Sequence, residues 1–317
     1  MKLRIKHFAC LCLSISIGIA ICIFNKHFKV YPLFNNNGNS SSIDAFSILT
    51  YNIDASDSTK FTLSYQDSLL NLLKTVNADV ICFQELSVNN HRRIKPRLDS
   101  LYKYSDLKQS DDQIWGVYFN SRYPMREFKR YKTEGKIQTE GLSQDELEEL
   151  ELYKMQMNVM SGEFEIEPNK WVTIFFGHLR SNSYSTARRS MDKEVSWFDG
   201  ISLYQRNYEI GKRIRDYEAK NVRRFVNNAR KDGIPVIVAG DFNDWCGSDC
   251  LNTLMGDDLQ DAWWEGGTGF GWTYYGWHLR LRIDHVLYSK ELKLVDVKVV
   301  DTDLSDHKPL MASFKLK

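Results

Sequence analysis

The stretch Val236-Ile237-Val238-Ala239-Gly240-Asp241-Phe242-Asn243-Asp244 decides how this chain is read. Its apolar, β-branched run is that of a strand buried on both faces, and it stops at once in polar residues. A strand interior cannot hold an unpaired carboxylate, but a strand end can deliver polar side chains into a cleft and keep them rigid. Asp241 and Asn243 are two apart, which places them on one face if strand geometry persists. Taken in isolation, the same residues also fit an Asp/Asn turn that closes a strand.

The pattern recurs along the chain. Ser47 to Asn52 reads as a strand ending in Asn52, and Val80 to Phe83 as one ending in Gln84-Glu85; between them Asp67 to Val76 has helical apolar spacing and is broken by Asn77-Ala78-Asp79. Ile114 to Phe119 is a further strand, followed by Ser121-Arg122-Tyr123-Pro124. Met155 to Ile166 and Trp171 to Phe176 flank Glu167-Pro168-Asn169-Lys170 as a hairpin whose second arm runs into Gly177-His178-Leu179. Arg282 to Tyr288 is a strand with Asp284 at its polar entry. Leu294 to Val300 follows, then Asp306-His307 ahead of a closing strand, Leu310 to Phe314.

Other segments carry less chemistry. Ser143 to Glu146 is expected to start a capped, acidic surface helix. Ser190 to Arg230 is long and amphipathic, with Ile210, Ile214, Val222, Phe225 and Val226 as its buried stripe and its Lys and Arg residues as a solvated face. Cys82 sits in a strand core as an inert thiol, while Cys246 and Cys250 are close enough in sequence for a short-range disulfide if geometry allows. Trp263 to Trp277 interleaves aromatics with glycines: part core, part loop, suited to wall a substrate cleft or touch a membrane interface.

The 317 residues are 43% hydrophobic and 13% aromatic, enough for a sizeable core and unlike a disordered chain. The first residues differ from the rest. Lys2, Arg4 and Lys6 precede an uncharged apolar run from Phe8 to Phe24, then Asn and Ser cluster from Asn35 to Ser42. The run is at the short end for a bilayer span and the long end for a signal-peptide core. Residues 1–34 therefore read as an uncleaved membrane anchor, with a cleaved signal as the alternative; 35–43 read as a tether and 44–317 as one domain, placed outside the cytoplasm by the charge bias. With five of the 42 Lys and Arg in the first 34 residues and no acid there, the remainder is left with about four more acids than bases. That balance disfavours a general nucleic-acid binder.

Collected, the strand ends and their flanks offer Asn52, Glu85, His178, Asp241, Asn243, Asp284, Asp306 and His307. There is no Cys ligand set and no Ser-His-Asp signature. Carboxylate-rich sites of this kind suit a hard, oxygen-preferring ion, Mg²⁺ or Mn²⁺, that would offset the charge of a phosphate ester.

These motifs, in this order, resemble the endonuclease/exonuclease/phosphatase superfamily, the metal-dependent phosphoesterases related to deoxyribonuclease I. The resemblance rests on Thr50-Tyr51-Asn52-Ile53, Gln84-Glu85, Ser121-Arg122-Tyr123-Pro124, Gly177-His178-Leu179, Gly240-Asp241-Phe242-Asn243, Arg282-Ile283-Asp284-His285 and Ser305-Asp306-His307, and covers Phe46 to Phe314. It implies an α/β fold, a four-layer sandwich of two mixed sheets flanked by helices, with the cleft at the top of the sheets. It further implies Glu85 as principal Mg²⁺ ligand with Asn52 and Asp306 beside it, and Asp241 positioning or activating the water. Asn243 would hold a phosphate oxygen, His307 paired with Asp284 would contact the phosphate, and His178 would stabilise the transition state.

The expected function is a membrane-tethered hydrolase of phosphate esters, acting as a monomer on a lipid-linked or small phosphorylated substrate. A nuclease or DNA-end-processing phosphodiesterase is the enzymatic alternative, and a non-catalytic binding domain the remaining one; the completeness of the site speaks against the last.

Overall fold

Strict period-two alternation in the central strands determines the layering. In β1 (Phe46–Ala55) and β2 (Val80–Ser87), Ile48, Val80 and Cys82 enter one apolar cluster, while Leu49, Tyr51, Ile81 and Phe83 enter another. In β7 (Lys170–His178) and β8 (Val236–Asp241), Ile174, Phe176, Ile237 and Ala239 join the first cluster, and Phe175, Val236 and Val238 a third. The first cluster is thus the filling between two sheets, and the other two lie on their outer faces.

The computed structural model describes residues 45–55, 59–105, 115–131, 140, 144, 147, 158–181, 197–276 and 280–317, without the side chains of 115, 197–207 and 232. The proposed anchor and tether, the Ser143 to Glu146 helix apart from Gln144, and Trp277 lie outside these residues. Among the described residues no helix is long and apolar enough to cross a membrane.

The remaining strands are β3 (Tyr104–Ser105), β4 (Trp115–Ser121), β5 (Met125–Tyr131), β6 (Asn158–Glu167), β9 (Leu259–Asp261), β10 (Asp284–Ser289), β11 (Leu292–Val299) and β12 (Leu310–Leu316). One sheet runs β11-β12-β1-β2-β4-β3 and the other β5-β6-β7-β8-β10-β9. Each is antiparallel except for one central parallel pair, β1 with β2 and β7 with β8. The helices complete four layers. α1 (Leu63–Val76) and α2 (Val88–Leu98) cover the first sheet through Leu69, Leu73, Ile94 and Leu98. α3 (Trp197–Ala229) and α4 (Asp249–Met255) cover the second through Val222, Val226, Leu251 and Leu254, and α5 (Ala262–Gly266) sends Trp263 into the filling. The expected two-sheet α/β sandwich is the observed fold.

Local chemistry explains the boundaries. Thr62 caps α1 by accepting the Tyr65 amide, and Asn77 ends it in the left-handed region, where the break was expected. α2 was not anticipated: its apolar residues are only Val88, Ile94 and Leu98, and its start depends on the Ser87 cap. Cys246 and Cys250 are both buried, and no disulfide links them. The α3 stripe is as expected, with Ile210, Ile214, Val222 and Val226 buried and Phe225 partly so, but the solvated face is corrected at Arg215, which is fully buried.

Candidate active site

Parity along the strands gathers the site. Asn52 continues the Ile48 face of β1, His178 the Ile174 and Phe176 face of β7, Asp241 the Ile237 and Ala239 face of β8, and Asp284 the Val286 face of β10. Each strand therefore carries apolar side chains into the filling and then one polar group at the same face, at the mouth between the sheets. Glu85 has the wrong parity, because Phe83 faces α1 and α2. A register shift between Phe83 and Leu86 and a φ of 55° at Glu85 turn it over, a conformation that costs a non-glycine residue roughly 1–3 kcal/mol. That strain is the local signature of a side chain re-aimed for use.

The result is a contiguous polar cluster. Asn52 Nδ2 donates to Glu85 Oε1 and to Asp241 Oδ2, both at 3.0 Å, bridging the two sheets. His178 Nε2 lies 3.7 Å from the same two oxygens. His307 Nδ1 is 2.8 Å from Asp284 Oδ2, and its Nε2 is 3.6 Å from Asp241 Oδ2. Ser305 Oγ donates to the Asn52 carbonyl at 2.8 Å and accepts the His307 amide, tying the Asp306-His307 loop to the end of β1. Tyr274 closes the edge, its ring 5.0 Å from that of His307.

Electrostatics follow from burying so many acids together. Burial, and then the neighbouring Asp284, push the Asp241 carboxyl up. Asp306, exposed at the rim, is also raised, by desolvation from the packed groups around it, with Asp54 and Glu85 adding to it. Burial disfavours the His307 imidazolium, but Asp284 and Asp241 outweigh that and push it up to about 10. At neutral pH His307 is a cation that donates on both nitrogens.

All eight expected residues lie at this end of the sandwich, with two differences of detail. Strand geometry does not persist past Asp241: Asn243 has a φ of 52°, its amide donates to Asp241 Oδ1, and its Nδ2 donates to the Leu179 carbonyl at 3.0 Å. One of its two side-chain protons is thereby committed to the neighbouring loop. Asn52 turns Nδ2 to the carboxylates and Oδ1 to the Asp54 amide, the orientation of a bridge between acids.

Sequence reading assigned no role to Ser305 or Thr273, and named Tyr274 only within the aromatic stretch suited to wall a cleft, where it lies. Ser305 stood inside a quoted motif, whereas Thr273, whose hydroxyl accepts the Ile283 and Asp284 amides, offered no signal of its own. His285 faces away from the cleft, stacked on Phe242 and bonded to Asp261 and the Asp244 carbonyl.

The donor set fits a hard divalent cation. Oxygens of Glu85 and Asp306, beside Asn52, could hold it, with the carboxylates of Asp241 and Asp284 and the imidazoles alongside. Asp284 Oδ1 is buried without a hydrogen bond, and atoms of Asp241, Asp284 and His307 lie within 4.8 Å of one another. Crowded acids raised by burial are what such an ion neutralises.

A carboxylate and imidazole cluster at the mouth of a two-sheet α/β sandwich defines a divalent-metal-dependent hydrolase of phosphate esters. The chain belongs to the endonuclease/exonuclease/phosphatase family, whose model matches residues 49–307. No curated protein matches it. Among solved structures it is similar to TDP2 from Caenorhabditis elegans, with a TM-score of 0.59 and 19% identity over 85% of this chain and 74% of that one. It is similar to D. rerio TDP2 complexed with single-strand DNA product, with a TM-score of 0.61 and 16% identity over 86% and 99%. ANGEL2, a 2',3'-cyclic phosphatase in complex with adenosine-2',3'-vanadate, matches with a TM-score of 0.60 and 16% identity over 86% and 96%.

Proposed function

We propose that this chain hydrolyses a lipid-linked or small phosphorylated substrate with Mg²⁺, or Mn²⁺ in its place, from the outer side of a membrane to which residues 1–34 tether it. The observation that carries the chemistry is the Asn52 bridge between Glu85 and Asp241, set against the His307–Asp284 pair. Glu85 and Asp306, with Asn52 beside them, would hold the ion. Once bound, the ion supplies charge to offset the phosphate oxygens and the developing oxyanion.

The side chains do the rest. Asp241, its carboxyl raised by burial, orients the attacking water and takes its proton. His307, kept cationic by Asp284, donates to a phosphate oxygen from Nε2, and His178 donates from the other side of Asp241. The second amide proton of Asn243 reaches a further phosphate oxygen.

A nucleotide or nucleic-acid-end substrate is a second reading, and one feature favours it. Phe270 and Trp272 stack at 4.8 Å, Arg280 lies over Trp272 at 5.3 Å and over Tyr275 at 5.6 Å, and Lys308 lies over Tyr275 at 4.5 Å. This partly exposed ridge adjoins the site, because the Tyr275 amide donates to the Asp306 carbonyl. Such a platform suits a planar base with a flanking phosphate. The acidic balance of residues 35–317 still speaks against long duplexes.

The test is Mg²⁺-dependent release by the full chain from a panel of sphingomyelin, an isoprenyl phosphate, a generic phosphodiester, a phosphomonoester, a short single strand of DNA and plasmid DNA. Preferred turnover of either lipid supports the first reading. Preference for the single strand moves the assignment to the second, and no turnover of any member contradicts both.

A further inference from the structure

Two charged residues of α3 are buried where packing alone would favour apolar ones. Arg215 and Glu218 stand one turn apart on the same helix face, and their side chains are 0% and 4% exposed as residues. Both grip the backbone of a single residue, Arg180. The Arg180 amide donates to Glu218 Oε2 at 2.9 Å, and the Arg180 carbonyl accepts from Arg215 Nη1 at 3.1 Å. Arg215 Nε also donates to Asp244 Oδ2 at 3.0 Å.

These contacts flank two groups of the cleft. Arg180 follows His178 by two residues, and Asp244 follows Asn243 directly. The segments between are themselves laced together: the Leu179 amide donates to the Asp241 carbonyl at 2.9 Å, and Asn243 Nδ2 donates to the Leu179 carbonyl. Successive backbone groups from the Leu179 amide to the Arg180 carbonyl are therefore each held by a different partner. Asp244 is held from the opposite side as well, its carbonyl bonded to His285 Nε2 at 2.9 Å.

Burying a guanidinium and a carboxylate is costly, and replacing such groups by apolar residues of similar size is often neutral or stabilising. The cost is visible at Glu218, where burial pushes the carboxyl up to about 7 even though Arg180 and Arg215 pull the other way. A helix that only covered the sheet would not need these residues.

We propose that Arg215 and Glu218 are positioning residues of the hydrolytic site, a clamp on the Arg180 backbone and the Asp244 carboxylate that sets how far His178 and Asn243 reach into the cleft. The proposal rests on the reading of the site as hydrolytic. Neither residue touches the reacting atoms; both act through the loops they hold.

The experiment compares the full-length wild type with Glu218→Gln, Glu218→Ala and Arg215→Met, on whichever panel substrate the wild type turns over. It reads kcat and KM, the thermal midpoint, and hydrogen exchange in peptides spanning 177–181 and 241–246. Glu218→Gln keeps an acceptor for the Arg180 amide and should retain kcat within about threefold. Glu218→Ala and Arg215→Met should lose kcat by about 10–100-fold, the usual loss when a supporting partner of a site is removed, with KM within about threefold. Exchange should rise in those two segments and the thermal midpoint should fall, because removing one partner leaves the others buried and unpaired. The loss of kcat should persist at temperatures where each variant is fully folded. Wild-type kcat in the Ala and Met variants, equal losses in Gln and Ala, or losses matched by lost folded protein would overturn the clamp. If the wild type hydrolyses nothing, the hydrolytic reading fails, and unchanged exchange in Glu218→Ala still overturns the clamp by itself.

Discussion

His307 Nδ1 and Asp284 Oδ2 meet at 2.8 Å across the end of the second sheet, both side chains almost wholly buried. The pair joins β10 to the loop before β12, and it makes the imidazole a permanent cation at neutral pH. Asp284→Asn removes that support while keeping the shape. We expect kcat to fall about 10²- to 10³-fold and the alkaline limb of the pH–rate profile to move down from the region of pH 10. For stability, a histidine raised above its unfolded value of 6.5 contributes fully below that value and loses the contribution as pH rises through about 10. An unchanged alkaline limb in Asp284→Asn would remove the pair from the mechanism.

His91 behaves in the opposite sense. It lies buried against Tyr118, ring centroids 4.2 Å apart, and burial, reinforced by Lys95, pushes it down to about 4. The unfolded chain takes up this proton below pH 6.5 while the folded chain resists until about 4, so stability is present above 6.5 and drains away between those values. The loss attributable to this group is up to about 3 kcal/mol. Urea unfolding of wild type and His91→Gln at pH 7 and pH 4.5 checks it: the variant should show a shallower decline, and parallel declines would contradict the assignment.

Gly240 is fixed by its neighbour across the central parallel pair. A Cβ there would sit 1.9 Å from the Gly177 carbonyl oxygen, a backbone atom that cannot step aside without parting β7 from β8. Gly240→Ala should therefore cost at least about 3 kcal/mol by denaturant unfolding, or prevent folding. A cost under about 1 kcal/mol would mean that the two strands separate more easily than their pairing implies.

What could be read in the sequence follows from the same geometry. Buried β-branched strands advertise themselves, and a polar residue at either end of one is conspicuous because the interior cannot tolerate it, so Asn52, His178 and Asp241 at strand ends and Asp284 at a strand entry were legible from pattern. Glu85 was legible as a terminal acid, but the bulge that brings it to the right face was not, since nothing in Phe83-Gln84-Glu85-Leu86 encodes a positive φ. Arg215 and Glu218 were hidden for a different reason. On an amphipathic helix rich in both charges, a buried Arg looks like any solvated one until its partners in distant loops, Arg180 and Asp244, are known.

Trp272 tests which part of the substrate the aromatic ridge reads. Its indole stacks on Phe270 and lies beneath Arg280. If a base rests there, Trp272→Ala should lower kcat/KM about tenfold on a nucleotide ester and leave a small generic ester within about twofold, in keeping with roughly 1–3 kcal/mol per stacked base. Equal losses on both substrates would assign the ridge a structural part only.

The most direct test of the metal-dependent hydrolytic site is turnover by the full chain after exhaustive EDTA treatment, with Mg²⁺ or Mn²⁺ then added back, in wild type beside Glu85→Ala. The account predicts that chelation abolishes wild-type turnover, that either ion restores it, and that Glu85→Ala stays at least about 10³-fold below wild type at any ion concentration. Turnover that survives chelation, or a Glu85→Ala variant within about threefold of wild type, would contradict it.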